Sequence, residues 1–338
     1  MIATECFSQA VLLLLRLKIS AVSTVAALMA LSACASTSWA AERVVVAVTA
    51  IEQHPALEAC RDGVRDALKA AGYVNGKNLK FVYESAQGDP AIATTIARKF
   101  AKDKPNVIVA ISTPSAQAVV AAAVGIPVIF TAVTDPLGAN LVRDMNRPGA
   151  YVTGISDLAP IRKQFDLIKQ ITPKARKIGV LFNPQESNSH TLLYLLKMNA
   201  TNNFMTVIEA PVAKPSDVPA AAKTLIGKAD VIFIPTDNTV IPMLDAVVKV
   251  GIENQIPIYT GDIDSVKHGA MAAVGFDYYS VGFQTGNLVV RILKGERPGT
   301  IPVKVVDETF LYVNPAIAAK MGVTIPEDIV ARADLVVR

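Results

Sequence analysis

The chain has 338 residues, 51% of them hydrophobic and 18% charged, which excludes a disordered polypeptide and leaves apolar material for two cores of ordinary size. The formal net charge is +4, with the basic residues scattered along the chain, so nothing electrostatic points to nucleic acid as a partner. Three cysteines and three histidines lie far apart in sequence, excluding a disulfide scaffold for a monomer and offering no zinc-ligand spacing. No metal and no cofactor are expected.

At the N-terminus, Arg16 and Lys18 precede an apolar stretch from Ile19 to Ala33 that is short for a bilayer span. Small residues follow, Ser32-Ala33-Cys34-Ala35-Ser36 and then Ser38-Trp39-Ala40-Ala41. This is the pattern of a secretory signal over residues 1–40, so a periplasmic, exported product is expected. Two cleavages compete. Leu31-Ser32-Ala33-Cys34 fits a lipoprotein signal with Cys34 lipidated, whereas cleavage after Ala40 releases a soluble protein. The short spacing between Cys34 and the first strand tips the reading slightly toward the soluble product.

The first predicted strand, Arg43 to Val48, leads to a helix with Leu57, Val64 and Leu68 on one side, ending at Gly72. A second strand runs from Leu79 to Glu84, and a Gly88-Asp89-Pro90 turn opens a second helix. A third strand begins at Val107 and stops at Ser112-Thr113-Pro114. A helix, the pair Ile126-Pro127 and another apolar run ending at Thr131 follow. The order then recurs: strands at 177–182 and 205–210, a Lys214-Pro215-Ser216-Asp217 turn, an apolar run from Val231 to Pro235-Thr236-Asp237-Asn238, a helix, and Ile256-Pro257 before a run ending at Thr260. Short β-branched runs alternating with helices imply parallel sheets covered on both faces. The fold class is therefore α/β, with two doubly wound, Rossmann-like lobes. Expected boundaries are 41–156 for the first lobe and 157–275 for the second. Residues 276–338 are expected to form a return segment and C-terminal elements shared between them.

Catalytic signatures are absent: the chain has no Gly-x-Ser-x-Gly elbow, no His-Glu-x-x-His and no Gly-x-Gly-x-x-Gly. Two-lobed amino-acid racemases use a cysteine from each lobe, and the equivalent strand ends here carry Thr113 and Thr236. In open α/β sheets ligands bind beyond the carboxyl ends of the strands. The first lobe places Gln53, His54, Ser112, Thr113, Ser115, Thr134 and Asp135 there. The second places Asn183, Glu186, Asn188, Ser189, Thr236, Asp237, Asn238, Gly261 and Asp262. Helix N-termini with hydroxyl neighbours suit a carboxylate, while Asp135, Asp237 and Asp262 oppose an ammonium, so the set fits a zwitterion such as an amino acid. The same residue types are ordinary caps and turn formers. An enzyme working in this cleft would have only Glu186 with Asp237 as its acid and base.

The chain resembles the substrate-binding proteins of ABC transporters, in the group related to tryptophan/tyrosine-binding lipoproteins. The motifs that carry the resemblance run from about residue 44 to the C-terminus. They include His54-Pro55-Ala56-Leu57, Ala86-Gln87-Gly88-Asp89, Thr113-Pro114-Ser115-Ala116-Gln117, Val133-Thr134-Asp135-Pro136, Val152-Thr153-Gly154-Ile155-Ser156-Asp157, Asn183-Pro184-Gln185-Glu186-Ser187-Asn188-Ser189 and Pro235-Thr236-Asp237-Asn238. The resemblance implies a type I periplasmic-binding fold with three hinge crossings, near 154–156, near 275–277 and within 300–312. It also implies a monomer that delivers a small-molecule ligand to a membrane permease. Tyr151, Phe276 and Tyr278 serve equally as stacking faces for an aromatic ligand or as hinge and core residues. A ligand-sensing module of the same fold is the alternative, but no DNA-binding head accompanies it.

Overall fold

The strands follow from their composition. Val107–Ile111 (β3) is buried at every position, as a strand covered on both faces requires. It pairs in parallel with Val44–Ala50 (β1) and Val128–Val133 (β4); β1 also pairs with Leu79–Ser85 (β2), and β4 with Val152–Ser156 (β5). The first sheet therefore runs β2-β1-β3-β4-β5, extended at the β5 edge by Lys304–Val305 (β11). The computed structural model describes residues 43–338 except Ala150, so the expected signal segment and Cys34 lie outside the described residues.

The second sheet repeats that order with Lys177–Phe182 (β6), Thr206–Pro211 (β7), Val231–Ile234 (β8), Ile258–Thr260 (β9) and Ala272–Gly275 (β10), arranged β7-β6-β8-β9-β10. Beyond β10 lie Phe310–Val313 (β12), which pairs with it antiparallel, and Leu335–Val336 (β13). The repeat legible in the residues is thus a repeat of topology. Each lobe is a doubly wound sheet, and the whole is the type I periplasmic-binding architecture. Among the described residues no helix is long and apolar enough to cross a membrane.

Helices cover the sheets: Pro55–Ala70 (α1), Pro90–Asp103 (α2), Thr113–Ala122 (α3), Ile161–Ile171 (α4), Ser187–Asn202 (α5), Val218–Lys223 (α6), Leu244–Asn254 (α7), Asp264–Lys267 (α8) and Tyr278–Leu293 (α9). The Asp89 and Asp277 carboxylates cap α2 and α9 by accepting from Ala91 N and Tyr279 N. Helix α9 returns to the first lobe and lies on α1 so closely that the backbones touch. A Cβ on Gly282 would stand 1.9 Å from the Cys60 carbonyl oxygen, and one on Gly63 2.2 Å from that of Tyr279. Only glycine permits this approach.

Three segments join the two sheets: residues 157–160 after β5, 276–277 after β10, and 306–309 between β11 and β12. The first crossing, expected near Gly154-Ile155-Ser156, begins directly after these residues, which themselves lie inside β5. A Cβ on Gly154 would meet the Phe130 carbonyl oxygen at 2.2 Å, and the Ser156 hydroxyl donates to Thr134 O at 3.0 Å, so these residues are pinned and the chain turns at Asp157. The stretch 300–312 holds β11 and most of β12, with the crossing confined between them. Phe276, Tyr278, Val281, Val289, Ile301 and Val303 complete the first lobe's core, whereas Val313, Ala318, Met321 and Ile329 belong to the second lobe's.

Candidate functional site

Both sheets have their switch points between equivalent strands, β1/β3 and β6/β8, and the carboxyl ends of the two sheets face each other. Between them lies a cavity. Lobe one lines it with His54, Ala56, Leu57, Thr113, Ala132 and Thr134. Asp157 and Tyr278 come from the first two crossings, and lobe two supplies Asn188, Thr236, Asp237, Asn238, Ile241 and Asp262. A second cavity adjoins it, sharing His54, Ala56, Ile241 and Asp262 and adding Gln53, Asp245, Asp264 and His268. The lobes also touch beside the cleft, where the Thr191 hydroxyl donates to Asp135 Oδ2 at 3.1 Å.

Two cavity-edge positions hold backbone conformations that side chains rarely adopt. Ser112 has φ +80° and Ala132 φ +53°, the latter within the register shift of β4 between Phe130 and Val133. Such residues each cost about 1–3 kcal/mol and persist where surrounding structure holds them. Here Ser112 N–H donates to Thr131 O at 2.9 Å, and the turn presents Thr113 at the start of α3. Thr131 is itself held by the Thr285 hydroxyl at 2.8 Å and lies 3.6 Å from the Cys60 sulfur, tying β4 to α9 and α1.

In lobe two the carboxylates are enclosed by the protein's own donors. Asp237 Oδ2 accepts from Asn183 N and the Ser189 hydroxyl, both at 2.7 Å, and Oδ1 from Thr239 N and Val240 N at 2.9 and 3.0 Å. Glu186 receives the Asn238 amide at 2.5 Å and the Thr239 hydroxyl at 3.2 Å. Asp262 caps α8, taking Ser265 N and its hydroxyl at 2.9 and 2.7 Å. These contacts correct several expectations. Asp237 and Asp262 line the cavity with their oxygens already engaged, so they are poor acceptors for an ammonium. Asp135 closes its own turn at Gly138 N and bridges the lobes, outside the cavity.

Other sequence candidates are held elsewhere. Asn183, Glu186 and Ser189 form the loop that Asp237 ties down, and do not line the cavity. Ser115, two residues beyond Thr113, faces away from it on the helix, and Ser112 is buried at the strained junction. Gly261 packs behind Thr236, where a Cβ would meet Thr236 N at 3.1 Å. Phe276 is buried in the first lobe's core, and Gln53 reaches only the adjoining cavity. His54, Thr113, Thr134, Asn188, Thr236 and Asn238 are brought together as expected from strand ends.

Asp157 lines the cavity without having been a candidate, and Tyr278, expected only as a stacking face or a hinge and core residue, lines it beside Asp157. Asp157 is 3% exposed; its Oδ2 accepts the Tyr278 hydroxyl at 2.6 Å, while its Oδ1 has no partner among the described residues. Asn188 Oδ1 and Thr236 Oγ1 are likewise unpartnered. The signal for Asp157 was present: it directly follows the apolar run of β5, the position that defines a strand end.

Burial dominates the electrostatics. It pushes the Asp157 carboxyl up to about 6, with the Tyr278 hydrogen bond opposing, and it raises Asp237 and Asp262. Glu186 is raised by burial and then by the charge of Asp237. Burial lowers His54 to about 4, against the pull of Asp264. A carboxyl raised in the folded state keeps a proton the unfolded chain has lost, so its stabilisation is full below the unfolded value and fades as pH rises through the folded one. His54 acts oppositely, its contribution being lost as pH falls from 6.5 toward 4. Four raised carboxyls outweigh one imidazole. The melting temperature of the ligand-free protein is expected to fall between pH 5 and pH 8 in scanning calorimetry; a rise across that interval would contradict this account.

A family profile described as ABC transporter substrate binding protein matches residues 45–337. The chain is 41% identical over 269 residues to a tyrosine-binding protein of Clostridioides difficile strain R20291, covering 80% of this chain and 78% of that one. It is 33% identical to an ABC domain from Streptococcus pneumoniae solved in complex with L-Trp, with TM-score 0.85 over 88% of this chain and all of that one. A ligand-free, open substrate-binding protein from Clostridium difficile is 37% identical, with TM-score 0.66 over 86% of this chain and 98% of that one.

Proposed function

The chain belongs to the ABC transporter substrate binding protein family, and from that premise we propose that it captures an aromatic amino acid between its lobes, outside the cytoplasm, and delivers it to a membrane permease. The observation that carries the reading is a cavity walled by both lobes, containing buried polar atoms that the protein itself leaves without partners. Such atoms are costly unless a ligand satisfies them. The tyrosine and L-Trp attached to two relatives support the aromatic class, and Leu57 and Ile241 offer apolar wall for such a side chain.

Ligand favours closure to the extent that it touches both lobes at once, so Thr113 and Thr134 on one side and Asn188, Thr236 and Asn238 on the other couple binding to lobe movement. Capture without turnover fits the site better than catalysis. The acid/base pair an enzyme would need, Glu186 and Asp237, is committed to the loop that it braces.

Thermal shift of the purified protein against tyrosine, tryptophan, phenylalanine, leucine and simple sugars tests the proposal. Ligand at a hundredfold excess over its Kd adds about 2.7 kcal/mol, an expected rise of several degrees with aromatic amino acids. Stabilisation by sugars alone would overturn the assignment.

A further inference from the structure

We infer that Asp157 is the anchor for a primary ammonium group on the ligand, an inference that rests on the amino-acid reading above. The other acidic residues lining this cavity, Asp237 and Asp262, are surrounded by internal donors, and Asp135 spans the lobes outside it. Asp157 differs because one oxygen is fixed by Tyr278 while the other, buried and lining the cavity, has no donor among the described residues. Asn188 Oδ1 and Thr236 Oγ1, also unpartnered, line the same cavity. A carboxylate oxygen, an amide oxygen and a hydroxyl oxygen are three acceptors, matching the three N–H donors of a primary ammonium. Burial explains why the carboxyl sits high, and an ammonium would supply a counter-charge.

The anchor occupies an unusual place. Asp157 begins the first crossing and Tyr278 opens α9 directly after the second, so the pair ties together residues 121 positions apart where the chain passes between the sheets.

Calorimetric titration with tyrosine, tryptophan and phenylalanine, each beside the matching arylpropionate that lacks only the amino group, tests the assignment. Wild-type protein is expected to prefer the amino acid by about 100-fold or more, and Asp157→Asn to lose most of that preference while holding the arylpropionate as before. An equal grip on both compounds by wild type would overturn the anchor without recourse to any variant. So would a folded Asp157→Asn protein that keeps the wild-type preference. If wild type bound none of the three amino acids, the amino-acid reading itself would fail, and the anchor with it; binding without preference defeats the anchor alone.

Discussion

Gly282→Ala is expected to lower the melting temperature by roughly 5–10 °C, because it forces a methyl group into the backbone of a neighbouring helix. The added Cβ would stand 1.9 Å from the Cys60 carbonyl oxygen and 2.6 Å from its carbon, atoms that cannot move by a rotamer change. Separation of α1 and α9 is the only relief. That would disturb the Thr285–Thr131 hydrogen bond and shift Tyr278, on the first turn of the same helix, away from Asp157. Calorimetry of the variant decides the matter: an unchanged melting temperature would show that the helices do not need glycine where they meet.

Asp237→Ala is expected to cost about 4 kcal/mol, seen as a fall in melting temperature of roughly 10 °C. Asp237 looks like a cleft residue from its place at a strand end, and its loss would then weaken binding while sparing the fold. The structure gives a different account. Its two buried oxygens gather the N–H of Asn183, the hydroxyl of Ser189 and the N–H groups of Thr239 and Val240, so alanine leaves these donors without partners. The loop between β6 and α5 then loses its tie to the end of β8, and Asn188 loses its support. A variant that melts like wild type would return Asp237 to the list of simple ligand contacts.

The fold was legible because β3 and β8 are buried on every residue and read as uninterrupted apolar runs, and because the same order of runs occurs twice. The site was legible in part, through one rule: residues at the carboxyl ends of parallel strands face the crevice. That rule led to Thr113, Thr134, Asn188 and Thr236, which line the cavity. It also gathered Asn183, Glu186 and Ser189, because a strand-end residue can face a ligand or brace its own loop, and residue type does not separate these uses. Asp157 was hidden by its neighbours, since Gly154-Ile155-Ser156 reads as a bend and draws attention from the residue after it. Tyr278 was legible only as an aromatic face or core residue; its bond to Asp157 has no local signal, since it arrives there by way of an entire second lobe.

The close seating of α9 on α1 also sets an order in time. The first sheet begins at residue 44, yet its core is incomplete without Phe276, Val281, Val289, Ile301 and Val303. Those residues leave the ribosome only after the second sheet's five parallel strands. The N-terminal lobe therefore cannot finish folding until nearly the whole chain has been made, and its assembly requires contacts of high sequence separation, which form slowly. A polypeptide that stays unfinished until its last quarter appears remains threadable through a membrane pore for most of its synthesis.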